Sequence, residues 1–384
     1  MRKLKVAVDA SRVRSGGGVA HLIGILEMDR IDIHGIEEIH LWSYQKLLDA
    51  VPDKPWLVKH HPPETEQSLP AQLYWQATRL EKEIKAAGCQ ILFSADASTV
   101  CRFSPMVALS QNMLPYEEGI MPLYGFSKDR IRQAFILEVQ KRAFRFADAT
   151  IFLTQHAASR IQKYCGPIAN FTVIPHGVGG VFKQTTVTRV WPQRKDQPIR
   201  CLYVSPVLEY KHQWVVVKAI KRLRDEGHNI TLTLLGGGGQ RAKQKLFSQI
   251  ALSDPAHAFV EVLEFLPHEE IPGRIAEADI FVFASGCETF GISLLEAMAV
   301  GVPIACSNQS SLPETLQDGG EYFTPTEEVS IANALKILIA DPAKRQHFAT
   351  RARMLSESYS WPRCAQQTWR CIVETYQRVS RITE

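Results

Sequence analysis

The stretch that decides the fold is Val282-Phe-Ala-Ser-Gly-Cys-Glu-Thr-Phe-Gly-Ile-Ser-Leu-Leu-Glu-Ala-Met-Ala-Val-Gly-Val-Pro303. The apolar run over residues 279–284 predicts a buried parallel strand, and a helix is expected from about Phe290 to Gly301. The glycine-containing loop between them brings the amino end of the helix to the carboxyl end of the strand. Free N–H groups and the helix dipole favour an anion such as phosphate there.

Two carboxylates bracket this anion site. Glu288 precedes the helix, and Glu296 lies on its second turn, about 12 Å further on if the segment is helical throughout. Carboxylates repel phosphate but accept hydrogen bonds from hydroxyl pairs. A sugar diol, a diphosphate on the helix and a ribose diol together describe a nucleotide-sugar. An ordinary strand–helix unit with a capping Glu288 and a solvated Glu296 is the alternative.

The spacing Glu-x7-Glu, followed by Ala-Met-Ala-x-Gly-x-Pro, resembles the signature of retaining glycosyltransferase family 4. Members have the GT-B fold and include bacterial polysaccharide and lipopolysaccharide glycosyltransferases. The resemblance implies that Glu288 contacts the donor sugar as a catalytic residue and that Glu296 holds the ribose. It extends donor contacts to the residues after Glu288, which are Thr289, Phe290, Gly291 and Ile292.

Other segments of the second half also resemble the family. Lys211, at a helix start, is a phosphate-ligand candidate by its chemistry, and it matches a basic residue that holds the diphosphate. Ser205 occupies the position of an expected Arg, and Arg241 is the candidate replacement. Gly237 lies in a glycine run that the resemblance places close to the nucleotide, and Phe265 lies on the segment that reads the base.

The amino-terminal half opens with a strand at Lys5–Asp9, a glycine loop over residues 15–19 and a helix from about Ala20 to Glu27. The loop is not G-x-G-x-x-G, so a dinucleotide site is weakly supported, and a tight turn with close packing is the alternative. The resemblance implies that Gly17 and Gly18 approach the donor phosphate or the acceptor.

Candidate acceptor-side residues follow later strands of this half. Asp96 lies in a turn after the strand at 90–94, at the end of the strand where α/β sites are built. Family members often carry a His at the start of the next loop, and Gln111 or Asn112 takes that position here. His176 replaces a family Asn in a turn, and we expect a structural role for it.

Residues 111–126 are too apolar for a solvated loop, and a basic helix from Lys128 to Phe146 follows them. This combination indicates a peripheral contact with the inner membrane or a lipid-linked acceptor, with Arg132 and Arg142 contributing. The alternative is a helix with a solvated charged face.

Composition narrows the class of protein. The 384 residues favour two domains, and 45% apolar with 22% charged residues is ordinary for a globular protein. A net charge of +4 gives no reason to expect a nucleic-acid partner. No apolar run is long enough to cross a bilayer or to form a signal peptide, and the eight Cys form no C-x-x-C pair. We therefore expect a cytoplasmic protein with reduced thiols.

We predict an α/β protein of the GT-B type, with two Rossmann-like domains whose parallel sheets face a cleft. The acceptor domain is expected over residues 1–183, with a C-terminal helix at 361–384 that returns to it. The donor domain is expected over residues 199–358, after a linker that includes Lys195. Residues 52–70 are expected to form an irregular loop.

The expected activity is retaining transfer of a hexose such as mannose, from GDP-mannose or a UDP-hexose to a growing glycan such as lipid-linked polysaccharide or O-antigen. No Asp-x-Asp and no metal-ligand spacing occurs, so Lys211 and helix N-termini would stabilise the leaving diphosphate without a metal or cofactor. Because Ser205 replaces an Arg and the acceptor-side His is missing, two alternatives stay open. They are another GT-B enzyme such as a nucleotide-sugar epimerase, and an inactive glycan-binding partner subunit.

Overall fold

The computed structural model describes residues 3–14, 16–187, 190–194 and 196–383. The predicted loop residue Ser15 and the predicted linker residue Lys195 lie outside the described residues. Contacts divide the chain into a first unit of Met1–Met121, Gly125–Gly177 and Ser360–Glu384, and a second unit of Pro122–Tyr124 and Val178–Tyr359. Each unit contains a parallel sheet with its own helices, which is the α/β architecture that alternating strands and helices predict.

The strands of the first unit are β1 (Leu4–Asp9), β2 (Ile36–Trp42), β3 (Leu57–His60), β4 (Ile91–Ser94), β5 (Met106–Leu109), β6 (Ala149–Phe152) and β7 (Phe171–Val173). They form one sheet in the order β3-β2-β1-β4-β5-β6-β7, and all neighbours are parallel. The chain moves outward in one direction from β1 and in the other from β4. Ligands of such sheets bind at this reversal, beyond the carboxyl ends of the strands.

The strands of the second unit are β8 (Ile199–Val204), β9 (Ile230–Leu235), β10 (Val260–Leu263), β11 (Ile280–Phe283), β12 (Ile304–Ser307) and β13 (Glu321–Phe323). Their order is β10-β9-β8-β11-β12-β13, again with parallel neighbours throughout. Every residue of β11 and β12 is buried, as expected for strands covered on both faces. The reversal point of this sheet lies between β8 and β11.

The helices, numbered along the chain, are α1 (Gly17–Leu26), α2 (Gln45–Ala50), α3 (Leu69–Thr78), α4 (Leu80–Ala86), α5 (Ile120–Leu123), α6 (Lys128–Phe146), α7 (Gln155–Cys165), α8 (Gly180–Gln184), α9 (Gln213–Asp225), α10 (Gln240–Ser253), α11 (Ile271–Ala276), α12 (Ile292–Val300), α13 (Leu312–Leu316), α14 (Glu328–Ala340), α15 (Pro342–Ser356) and α16 (Trp361–Thr383). Short 3-10 turns cover Asp32–His34, Pro63–Glu66, Glu209–Lys211 and His268–Glu270.

The C-terminal helix returns to the first unit, as predicted. Helix α16 packs on α1, where Trp361 lies so close to Gly24 that a Cβ there would come within 2.3 Å of the indole ring. Trp369 is fully buried and donates from Nε1 to the Ile25 carbonyl at 3.1 Å. Gly24 is therefore required by close helix packing.

Three local predictions need correction. Residues 52–70 are not wholly irregular, because Leu57–His60 pairs with β2 as an edge strand. Helix α1 starts at Gly17 rather than Ala20, so Gly17 and Gly18 are helical. The amino-terminal part of the first unit ends at Gly177, before the expected boundary at residue 183, since the intervening helix α8 packs against α12 of the second unit.

Candidate active site

The site in the second unit begins where β8 and β11 end side by side. The 3-10 turn with Lys211 follows β8, and the loop with Glu288 follows β11. The amide of Gly286 donates to the Tyr210 carbonyl at 2.7 Å and ties the two loops together. A Cβ at Gly286 would lie 3.0 Å from His212 Nε2, so a glycine permits this close approach.

The two predicted catalytic residues form an ion pair. Lys211 Nζ donates to Glu288 Oε1, and their side chains are 8% and 16% exposed. The ammonium also lies 5.2 Å from the centre of the Tyr210 ring and 5.3 Å from that of Phe283, within cation–π range. The two charges depend on each other, because removing either partner would leave the other charge nearly buried and poorly solvated.

The backbone of Glu288 is fixed by two serines of a distant loop. Its amide donates to Ser310 Oγ at 3.0 Å, and its carbonyl accepts from Ser310 Oγ at 2.9 Å and Ser311 Oγ at 3.0 Å. These hydroxyls follow β12, the neighbour of β11. The loop that holds Glu288 is therefore positioned from two sides.

Helix α12 starts at Ile292, after Gly291 at φ +94°, and not at Phe290 as predicted. Its first turn contains no acidic residue, and no side chain caps it. The first N–H groups of a helix have no intrahelical acceptor, so this end can bind an anion. The Phe290 ring is buried against Tyr359, with ring centres 5.5 Å apart, so a donor contact from Phe290 would come from its backbone.

Glu296 is buried on the second turn of α12, which rules out a solvated Glu at this position. Its Oε1 lies 3.2 Å from Nε2 of His268. Burial raises the pKa of Glu296, and the hydrogen bond with His268 opposes that rise. The same hydrogen bond raises the pKa of His268, whose side chain is 72% exposed. A carboxylate that is buried with one polar partner can still accept a hydroxyl.

The glycine run after β9 has a packing role. A Cβ at Gly236, which has φ +138°, would lie 2.4 Å from the Ser205 carbonyl oxygen. A Cβ at Gly238 would lie 2.2 Å from the Val207 carbonyl oxygen. Gly237 has more room, because a Cβ there would lie 3.5 Å from the Glu264 carbonyl oxygen. The run thus lets two loops at the carboxyl edge of the sheet lie in direct backbone contact.

Ser205 stands where the resembled family has an arginine, and it brings no charge to the site. Ser205 is buried and donates from Oγ to the Pro206 carbonyl at 3.2 Å. Arg241, the candidate replacement, donates to the Tyr124 carbonyl at 2.9 Å. Phe265 follows β10 and is 80% exposed, so its ring is available to a planar partner.

In the first unit, the structure brings two predicted residues together. A Cβ at Gly18 would lie 3.8 Å from Cδ of Gln111 and 3.1 Å from Cγ1 of Val13. The loop after β1, the start of α1 and the loop after β5 therefore meet at the carboxyl edge of this sheet. Gly17 is the first residue of α1.

Asp96 and Asn112 lie in the same part of the first unit. Asp96 accepts from the Ser98 amide at 3.0 Å, and burial raises its pKa. Asn112 accepts from the Leu114 amide at 3.1 Å and donates to Gln133 of α6 at 3.3 Å. His176 is buried with its Nδ1 3.0 Å from Nδ1 of His21, in a cluster that also contacts Trp361.

Among the described residues, no group of three or more His, Cys, Asp or Glu side chains could hold a metal ion. Within the same part of the chain, no helix is both long and apolar enough to cross a membrane.

The eight Cys are free thiols, and seven of them are buried. A cavity of about 880 Å³ lies at the other edge of the second sheet, near Asp279 and Pro303, and shares no residue with the Glu288 site.

Sequence reasoning missed several residues of the site. His268, Ser310 and Ser311 contact Glu296 or Glu288 across 22 to 28 positions of the sequence. His212, with φ 51°, caps α9 beside Gly286, and burial lowers its pKa to about 4.

Two Rossmann-like domains with parallel sheets and a C-terminal helix on the first define the class as the GT-B fold. Residues 187–354 match the family model described as "Glycosyl transferases group 1". A sucrose-phosphate synthase from Thermosynechococcus elongatus superposes with a TM-score of 0.76 at 17% identity, covering 99% of this chain and 100% of that one. At 17% identity, this superposition is evidence for the fold alone.

Two curated relatives share parts of the chain. The O-antigen chain mannosyltransferase B of Escherichia coli is 34% identical over 110 residues, which are 29% of each protein. The GDP-mannose-dependent alpha-(1-6)-phosphatidylinositol monomannoside mannosyltransferase of Mycolicibacterium smegmatis is 29% identical over 233 residues, covering 56% of this chain and 59% of that protein. The matches span less than two thirds of either relative. Together with the family model, they support a glycosyltransferase.

Proposed function

We propose that the protein is a retaining glycosyltransferase that moves a hexose from a nucleotide-sugar to a glycan. The observation that carries this proposal is the Lys211–Glu288 ion pair at the carboxyl ends of adjacent strands, beside the uncapped start of α12. A sugar diphosphate has the complementary charges and hydroxyls. Glu296, buried one helical turn further on, is the candidate ligand of the ribose.

The ion pair suggests how a donor is received. A diphosphate gives Lys211 a second acceptor, and Glu288 can then accept hydrogen bonds from sugar hydroxyls. Transfer breaks the bond between the sugar C1 and the diphosphate oxygen and forms a bond from C1 to an acceptor hydroxyl oxygen, whose proton passes to the departing diphosphate. Negative charge develops on the departing diphosphate, so Lys211 and the α12 N–H groups stabilise the transition state more than the ground state.

Mannose is the favoured sugar and a polysaccharide the favoured acceptor, because both curated relatives are named as mannosyltransferases and one of them acts on O-antigen chains. GDP-mannose is then the first donor to test. The exposed ring of Phe265 is the candidate contact for the base, and Gly237, Thr289, Gly291 and Ile292 are candidate backbone contacts.

The experiment is a hydrolysis assay with GDP-mannose, UDP-glucose, UDP-galactose and UDP-N-acetylglucosamine, followed by NMR of the sugar. We expect slow release of nucleoside diphosphate from GDP-mannose, and a first-formed free sugar that keeps the anomeric configuration of the donor. Conversion of the donor to another nucleotide-sugar without free hexose would identify an epimerase. No reaction with any donor, despite binding, would favour the inactive glycan-binding subunit.

We also propose that the start of α6 attaches the protein peripherally to an anionic membrane surface. Most of the apolar loop at residues 111–126 does not contribute, because Met113, Tyr116 and Ile120 are buried, but Phe126 at its end is exposed. The exposed apolar side chains are instead Phe126, Ile131 and Phe135, at 107%, 73% and 47% exposure, and they are accompanied by exposed basic residues at Lys128, Arg130 and Arg132. Each basic residue contributes about 1 kcal/mol near an anionic leaflet.

Sedimentation with phosphatidylglycerol-containing vesicles tests this attachment. Wild type should pellet at low salt and be released at high salt, and the double variant Phe126→Ser/Ile131→Ser should pellet less. Leu252→Ser removes an equally exposed apolar side chain from α10 of the second unit and should pellet like wild type. Wild type that stays in the supernatant at low salt would overturn the attachment.

A further inference from the structure

The carboxyl edge of the first sheet contains a second set of charged groups, which the donor site does not use. Arg12 and Arg14 follow β1, and Asp96 follows β4, at the point where the strand order reverses. Arg132 of α6 lies close enough for its charge to act on Arg12. We call these three guanidiniums the arginine cluster.

The positive charge of the arginine cluster is not neutralised by ion pairs. Among the described residues, no carboxylate lies within salt-bridge distance of Arg12, Arg14 or Arg132, whereas other arginines of the chain are paired. Arg12 donates to the neutral Gln72 at 3.3 Å, and its buried Nε has no hydrogen-bond acceptor. Arg14 donates to a neutral backbone carbonyl, that of Thr65, at 2.5 Å.

The nearby carboxylates have other partners. Asp9 is buried and accepts from the Ser11 amide at 3.1 Å, Ser11 Oγ at 2.6 Å, Gln76 Nε2 at 2.8 Å and Thr99 Oγ1 at 3.3 Å. Burial lowers the pKa of Arg12, the charges of Asp96 and Asp9 oppose this, and those of Arg132 and Arg14 lower the pKa further. The positive charges of Arg14 and Arg132 therefore disfavour the charged form of Arg12.

An anion placed among these guanidiniums would offset the repulsion between their charges. It would also give Arg12 Nε a hydrogen-bond acceptor. Guanidinium groups present paired N–H donors that match the oxygens of phosphate. The uncapped start of α1 lies beside the same loop, since Gly18 touches Val13, and its first turn has no acidic residue. Asp96, whose Oδ1 accepts from the Ser98 amide, is the candidate acceptor for a sugar hydroxyl.

We propose that the arginine cluster binds a phosphate or diphosphate group on the acceptor, so that the acceptor is a phosphate-bearing glycan. Asp96 would accept a hydroxyl of the sugar next to that phosphate. This inference rests on the proposed glycosyl transfer and adds the chemical class of the acceptor. It concerns only residues of the first unit, which the donor site does not include.

Calorimetric titration of pyrophosphate tests the site. The titration uses full-length Lys211→Gln protein, in which the charged side chain of the donor-side phosphate site is removed and only the start of α12 remains there. We expect saturable binding that weakens with added salt, and affinity lower on the order of tenfold after the further change Arg12→Gln/Arg14→Gln. Arg132→Gln, at an exposed position, should weaken binding in the same direction even if the double change unfolds the first unit.

The matched control is Arg142→Gln, which removes an exposed arginine from the same helix and should leave pyrophosphate binding unchanged.

Two further ligands distinguish a lipid-linked acceptor from a soluble sugar phosphate. Tighter binding of a short prenyl diphosphate than of mannose 1-phosphate indicates a lipid-linked acceptor, and the reverse order indicates a soluble sugar phosphate. Both outcomes support the site.

The inference is overturned if Lys211→Gln protein does not bind pyrophosphate, or if Arg12→Gln/Arg14→Gln and Arg132→Gln both bind it like the parent. Donor hydrolysis by wild type, measured in parallel, separates the two proposals. Active hydrolysis without pyrophosphate binding removes the acceptor site and leaves the glycosyltransferase. Binding without hydrolysis of any donor leaves an anion site in a protein of another function.

Discussion

In the proposed mechanism Lys211 exchanges the Glu288 carboxylate for a phosphate when a donor binds, so its charge should matter most as the diphosphate departs. Lys211→Gln should lower kcat of donor hydrolysis about 100-fold or more while changing KM much less, because charge on the leaving group is larger in the transition state. The control Lys218→Gln removes an exposed lysine from α9. A change in KM alone would show that Lys211 serves only to bind the donor.

His268 should set the pH at which Glu296 loses its nucleotide. Burial raises the pKa of Glu296 and His268 opposes the rise, so His268→Ala should raise that pKa further. Affinity for nucleoside diphosphate is present above the pKa of Glu296 and falls as the carboxylate is protonated. The fall should therefore begin at a higher pH in His268→Ala than in wild type.

Calorimetry between about pH 5 and about pH 8 measures this shift through the linked proton uptake. His347→Ala removes an exposed histidine from α15 and should follow the wild-type curve. Superimposable curves for wild type and His268→Ala would contradict the role given to His268.

At the scale of elements, the packing of α16 on α1 depends on Gly24. A Cβ at this position would lie 2.3 to 2.8 Å from atoms of the Trp361 ring, so Gly24→Ala should displace the helix or the indole and cost about 1–3 kcal/mol of stability. Gly273→Ala on α11, where nothing lies within 4 Å, is the matched control. Chemical denaturation followed by tryptophan fluorescence measures the free energy of unfolding of both variants. Equal stability of Gly24→Ala and Gly273→Ala would contradict this packing.

The elements differ in how well the sequence predicts them. Strand β11 and helix α6 follow from local pattern, because a buried apolar run and a 3.6-residue period are properties of the segment itself. Strand β3 does not, since Leu57–His60 is short and half exposed and is held by pairing with β2. The start of α12 also differs from the prediction, because Gly291 adopts a left-handed conformation, and a Cβ there would lie 3.0 Å from Leu312.

In the candidate site, too, some residues can be predicted from local sequence and others cannot. The spacing of Glu288 and Glu296 and the position of Lys211 are local, and the structure joins Lys211 to Glu288. The partners that orient them, His268 and Ser310, come from segments whose proximity is set only by the order of strands in the sheet. No periodicity or spacing in a single sequence contains that information.

For the whole molecule, the proposed mechanism requires no divalent cation. In that mechanism Lys211 and the start of α12 would supply the positive charge that faces the leaving group. Donor hydrolysis should therefore persist in excess EDTA, at a rate within about twofold of that with Mg²⁺, a difference below about 0.5 kcal/mol in the barrier. Activity that disappears with EDTA and returns with Mg²⁺ or Mn²⁺ would show that a cation, and not Lys211, carries the leaving-group charge.

The central claim is that the second unit binds a nucleotide-sugar along α12, with Glu296 on the ribose. Calorimetric titration of GDP and UDP into wild type and Glu296→Ala measures it most directly. We expect wild type to bind at least one nucleotide, and Glu296→Ala to lose about 1.5–3 kcal/mol of binding free energy, the range for a hydrogen bond to a charged group. Unchanged affinity in a correctly folded Glu296→Ala protein, or no binding of either nucleotide by wild type, would contradict it.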